Sequence, residues 1–173
     1  MSTEQDILTF TEGFREHRSF EQANAFILQK EAHLEGMVRI ILQERSPYAE
    51  HISWILVHFA AKYPPLLFPF VPQFLQCLEQ TQNGTLKRNM LCIFLNLPPL
   101  DAETAWFDRL LHYLRDPESK PAVKVNALKL TEHWFLRRWP ELAPEVRETL
   151  QLLAGDDRPS VRSVIRHFNK KWK

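Results

Sequence analysis

Glycine is scarce in this chain, at four of 173 residues, and no stretch alternates polar and apolar residues over the length of a strand. With so few positions free to take left-handed turns and no period-two pattern, a β or α/β fold has little support. Cysteine is rarer still. Cys77 and Cys92 sit within apolar helical runs, far from any CxxC spacing, which argues against a disulfide framework or a zinc site and for two reduced core thiols. The longest apolar runs, Ile52 to Ala61 and Pro64 to Leu75, are short or broken by proline, so neither suits a bilayer span. The opening Met1-Ser2-Thr3-Glu4-Gln5-Asp6 is polar and acidic where a secretion signal is basic and then apolar. A cytoplasmic location with no membrane partner is expected.

Catalytic signatures are missing as well. The seven histidines form no HExxH or HxH pattern. His51 and His58 stand seven residues apart, roughly 10 Å along a helix and too far to share one metal ion. There is no GxSxG elbow and no glycine-rich phosphate loop. Glu50-His51 and Glu132-His133 are neighbours in sequence, but consecutive helical positions point about 100° apart, so adjacency does not make an acid–base pair. No catalytic residue, cofactor or metal is expected, and the chain reads as a non-enzyme.

What the chain does have is a repeat. Ala49, Leu86, Val123 and Val161 lie 37, 37 and 38 residues apart, each two residues after Pro47, Gly84, Pro121 or Pro159. Counting on by four, seven and eleven reaches Ser53, Met90, Ala127 and Ile165, then Leu56, Ile93, Leu130 and Phe168, then Ala60, Leu97, Trp134 and Trp172. Fifteen of these sixteen positions are apolar, Ser53 being the exception. Such spacing traces one buried helical stripe, and its return at a fixed period is the mark of stacked helices.

Punctuation places the helices. One begins near Ser2 and a second at Ser19-Phe20-Glu21-Gln22, a capping box in which serine and glutamine side chains satisfy free amides. Thereafter a first helix of each repeat (34–44, 67–80, 102–115, 142–154) alternates with a second (47–62, 84–97, 121–138, 159–172). Tyr63-Pro64-Pro65, Leu97-Pro98-Pro99 and Trp139-Pro140 close the second helices, because proline lacks an amide hydrogen and restricts the residue before it. The expected architecture is an all-α solenoid of about ten helices in stacked antiparallel pairs. A single domain is expected, in which residues 1–46 hold a divergent cap and the first helix of repeat 1, and residues 47–173 the repeat array.

The segments Asp116-Pro117-Glu118-Ser119-Lys120-Pro121-Ala122-Val123-Lys124-Val125-Asn126-Ala127-Leu128 and Asp156-Asp157-Arg158-Pro159-Ser160-Val161-Arg162-Ser163-Val164-Ile165 resemble the turn and second helix of HEAT repeats. Trp139-Pro140-Glu141-Leu142 resembles the turn into the next unit. As a whole the chain is similar to small bacterial HEAT-like proteins, some of which carry an adenylosuccinate lyase label. Such a lyase needs a serine- and glycine-bearing loop with a Met-Pro-x-Lys core, which this sequence lacks. The resemblance therefore implies a helical-repeat scaffold that binds a protein, and not that activity.

Charge is unevenly placed. Residues 1–86 carry six Lys or Arg against ten acids, and residues 87–173 carry sixteen against eleven. From Arg158 to Lys173 there are six basic residues and no acid. Arg158, Arg162, Arg166 and Lys170 recur every fourth residue, and Lys87 and Lys124 occupy the position of Arg162 in earlier repeats, where Glu50 breaks the series. Like charges at i,i+4 repel one another, and an acidic protein surface or a nucleic-acid backbone would relieve them. The candidate partner-binding residues are Lys87, Lys120, Lys124, Arg158, Arg162, Arg166 and Lys170, on the C-terminal face or the concave side of the array. Alternatively, Lys124 and Arg162 tie repeats together through Asp116 and Asp156 or Asp157. The run His133-Trp134-Phe135-Leu136-Arg137-Arg138-Trp139 and the segment Trp106-Phe107-Asp108-Arg109 carry residue types also used by HEAT-like DNA alkylation-repair glycosylases. Their helical spacing instead assigns them to packing.

Overall fold

The computed structural model describes residues 3–101, 104–153 and 155–172. These residues form ten α-helices and no strand, in two compact units, Met1–Leu97 and Pro98–Lys173.

The first unit holds α1 (Thr3–His17), α2 (Phe20–Gln29), α3 (Glu31–Leu42), α4 (Tyr48–Lys62), α5 (Val71–Gln80) and α6 (Gly84–Asn96). Side chains open two of them. Ser19 Oγ accepts the amide of Gln22 at 3.3 Å at the start of α2, and Asn83 Oδ1 accepts those of Thr85 and Leu86 at 2.9 and 3.3 Å at the start of α6, so that otherwise orphaned donors are satisfied. Helix α4 stops at Lys62 before the Pro64-Pro65 pair, and the chain runs through a 3₁₀ stretch, Pro64–Phe70, into α5. The expected helix over 67–80 is thus divided at Val71, because Pro69 cannot donate to an α-helical ladder. Helix α3 starts at Glu31, one turn earlier than expected.

Helices α4 and α6 pack along each other. Leu56 and Phe59 of α4 and Met90 and Ile93 of α6 are fully buried, each contributing on the order of 1.5–3 kcal/mol of transfer free energy. Ser53, the polar position in the stripe, is also fully buried. Its Oγ accepts Asn89 Nδ2 at 2.7 Å and donates to Glu50 O at 2.9 Å, so the hydroxyl is satisfied from both sides.

The second unit holds α7 (Thr104–Arg115), α8 (Pro121–Thr131), α9 (Ala143–Gln151) and α10 (Pro159–Lys171). The start of α7 expected at 102 lies outside the described residues, and α9 ends at Gln151, short of the expected 154, with Leu152 as its C-cap. Helix α7 packs on α8 and α9, and α8 on α10. The helix expected over 121–138 changes after Thr131 into a π turn, Glu132–Leu136. Val123, Ala127, Leu130 and Trp134 of the stripe are buried, as are Val161 and Phe168, whereas Ile165 and Trp172 are half-buried. Ile165 lies on α10 and Trp172 is its C-cap, and α10 packs on α8.

Candidate partner-binding face

The turn before α10 decides which of its cations remain available. Pro159 occupies the first turn of the helix, where its missing amide hydrogen costs nothing. Arg158 is the N-cap, in extended conformation with φ −68° and ψ 119°. It is therefore not part of the helical stripe with Arg162, and its side chain turns back to the preceding loop. Asp156 Oδ1 accepts Arg158 Nε at 2.7 Å and its amide at 3.1 Å, while Arg158 Nη2 donates to Oδ2. This bidentate grip holds the Asp156 carboxyl at about 2, chiefly through the Arg158 hydrogen bonds.

Lys124 is also taken up internally. It is 3% exposed on α8, between the attractive charges of Asp156 and Asp116. Burial, and then the charge of Arg158, push its ammonium below the usual lysine range. Lys124 thus sits in the field of Asp116 and Asp156, whereas Arg158 pairs with Asp156 inside its own turn and Arg162 makes no ion pair among the described residues. Glu50, at the same repeat position in the first unit, accepts Asn83 Nδ2 at 2.8 Å and Ser46 Oγ at 3.0 Å. In the first unit the position thus bonds to the next turn. Of the remaining candidates, Lys87 lies half-buried on α6 and Lys120 is exposed before Pro121.

Arg162, Arg166 and Lys170 are exposed on α10, and none forms an ion pair within 4.0 Å among the described residues. Arg162 and Arg166 border a cleft of about 470 Å³ whose other walls are Leu153, Pro159 and Ile165. The end of α10 is fastened. Glu132 accepts Lys171 Nζ at 2.5 Å and Trp172 Nε1 at 3.1 Å, and Arg147 Nη2 donates to the Trp172 carbonyl. Three unpaired cations on a helix held at both ends, two of them bordering the cleft, form a surface suited to an anionic ligand with apolar parts.

The aromatic segments pack as expected. Trp106 meets Trp134 edge-on at 6.2 Å and Phe107 meets Phe135 at 5.3 Å. His51 Nδ1 donates to Pro47 O at 2.7 Å, and His58 stacks on Phe20 at 3.6 Å. Among the described residues no group of His, Cys, Asp and Glu is arranged to hold a metal ion. Cys77 and Cys92 are free thiols, and burial pushes that of Cys77 up to about 11. No helix among the described residues is long and apolar enough to cross a membrane.

Two clefts have no precursor in the sequence reading. One of about 630 Å³, in the first unit, is lined by charged residues of both signs on α1 together with His51 and Trp54. The other, of about 320 Å³ in the second unit, is lined by Phe107, Phe135, Trp139 and Leu142 with Asp108 and Glu141. Asp108 and Glu141 stand on separate elements with no motif joining them, so only the fold brings them together.

A family model described as a HEAT repeat domain matches residues 14–172. No curated protein and no solved structure gives a match, and nothing among these comparisons supports the lyase label.

Proposed function

Because this chain belongs to the HEAT repeat family, whose members generally serve as protein-interaction scaffolds, we propose that it is a non-catalytic scaffold whose α10 face docks an acidic protein partner. One observation carries this reading. Arg158 and Lys171 are matched by Asp156 and Glu132, while Arg162 and Arg166, beside Leu153, Pro159 and Ile165, and Lys170 farther along α10 are left facing solvent. Cations next to apolar walls favour an acidic polypeptide with an apolar anchor over a phosphate backbone, which would leave the cleft empty. Lys120, Arg162, Arg166 and Lys170 form the docking set. Lys124 and Arg158 serve the scaffold.

The test is a titration of the protein with a glutamate-rich peptide carrying leucines and, separately, with duplex and single-stranded DNA. The peptide is expected to bind, and the double variant Arg162→Gln/Arg166→Gln to weaken it about tenfold or more with an unchanged melting curve. DNA binding whose dependence on salt flattens by about two units in the same variant would replace this reading with nucleic-acid recognition. Binding of neither ligand at about 50 mM salt would refute both.

A further inference from the structure

The cleft of about 320 Å³ in the second unit differs from the α10 face in the sign of the charge at its rim. Its walls are aromatic and aliphatic: Phe107 from α7, Phe135 from the π turn, and Trp139 and Leu142 from the turn into α9. Phe107 and Phe135 are buried, Trp139 and Leu142 half-buried. The ionised groups on its lining, Asp108 and Glu141, are carboxylates and both exposed. Neither forms an ion pair within 4.0 Å among the described residues, and no cationic side chain lines the cleft.

This chemistry selects for charge. An anion is repelled by the carboxylates, and a purely apolar group gains nothing from them. A cation on an apolar stem satisfies both kinds of wall, the stem against Phe107, Phe135 and Leu142 and the charge between the acids and the indole. Trp139 already shows that its ring accepts a cation, since the guanidinium of Arg138 lies 4.5 Å from the ring centroid. Arg138 is not itself the missing group, because its charge is taken by Asp101 at 2.5 Å. In size the cleft stands at the lower end of ligand pockets, room for one side chain rather than a whole drug-sized molecule.

We propose that this cleft is a socket for one arginine or lysine side chain presented by a partner polypeptide. It lies apart from the α10 face, has opposite charge preference, and does not rest on the reading of that face.

The test uses the full chain and three probes: a short acetylated and amidated peptide with one arginine between two leucines, the same peptide with norleucine replacing arginine, and free butylguanidinium. Binding is followed by the indole N–H resonance of Trp139 in a nitrogen–proton NMR spectrum, assigned by its disappearance in Trp139→Phe. The arginine peptide is expected to shift that resonance and to bind at least tenfold more tightly than the norleucine peptide. Asp108→Asn/Glu141→Gln, two exposed changes that leave the core untouched, should remove most of that preference, whereas Arg162→Gln/Arg166→Gln should leave it unaltered. Equal binding of the two peptides, or an arginine preference that survives the Asp108→Asn/Glu141→Gln variant, overturns the proposal. Free butylguanidinium binding as tightly as the arginine peptide overturns the assignment to a polypeptide.

Discussion

Removing the Glu132 side chain should loosen the end of α10 by a measurable amount. This carboxylate, with a side chain 10% exposed, receives Trp172 Nε1 at 3.1 Å and Lys171 Nζ at 2.5 Å. A hydrogen bond from a neutral donor to a charged acceptor contributes about 1.5–3 kcal/mol. The Lys171 side chain is 44% exposed, so its ion pair is screened by solvent and adds only about 0.2–1 kcal/mol. Glu132→Ala should therefore cost about 2–4 kcal/mol, since it also strands the indole N–H. Glu132→Gln keeps a carbonyl oxygen for Trp172 and loses only the charge, so it should cost about 1 kcal/mol. Urea unfolding read by tryptophan fluorescence gives both values as shifts of the midpoint at constant slope, and amide exchange along α10 should accelerate in the alanine variant first. A loss below about 0.5 kcal/mol for Glu132→Ala, or identical losses for the two variants, would mean that this clamp does not hold the helix.

Leu130 is fully buried on α8, so Leu130→Ala should cost about 2–5 kcal/mol in the same assay, and a loss under about 1 kcal/mol would place it outside the core. Asp156 supplies a pH signature. Its carboxyl is lowered from 3.8 to about 2 in the folded chain, so the associated stabilisation is complete above the unfolded value and disappears as pH falls through the folded one. Thermal melts between about pH 5 and pH 2 should show a shallower decline in Asp156→Asn than in the parent chain, and parallel curves would contradict the Arg158 grip.

The helices were legible because their ends are written in local chemistry. Ser19 caps α2, Asn83 caps α6, and Pro121 and Pro159 open α8 and α10, each through a preference of one or two residues. The buried stripe was legible for a related reason, since its return every 37 or 38 residues averages out the ambiguity of any single helix. The binding face was only partly legible. Counting by fours treats Arg158 as a helical residue, but its cap conformation sends the side chain back to Asp156. The same count cannot tell that Lys124 is buried in the field of Asp116 and Asp156 while Arg162 stays open. Whether a cation is consumed depends on which turn packs over it. The acid-rimmed cleft was illegible, because Asp108 and Glu141 acquire a common role only when α7 meets the turn into α9.

The buried Ser53–Asn89 contact has a consequence for how α4 and α6 find their alignment. Apolar faces attract one another in many offsets, and helices of near-identical pattern could slide by a turn with little loss of contact. Ser53 and Asn89 do not tolerate that slide. At 2.7 Å they satisfy each other in one setting, and displacement by a turn buries a hydroxyl and an amide against hydrocarbon, at about 1–3 kcal/mol for each group left unpaired. A single polar pair in an otherwise greasy seam thus acts as a registration pin. It fixes where the second helix must stop rather than how strongly it holds.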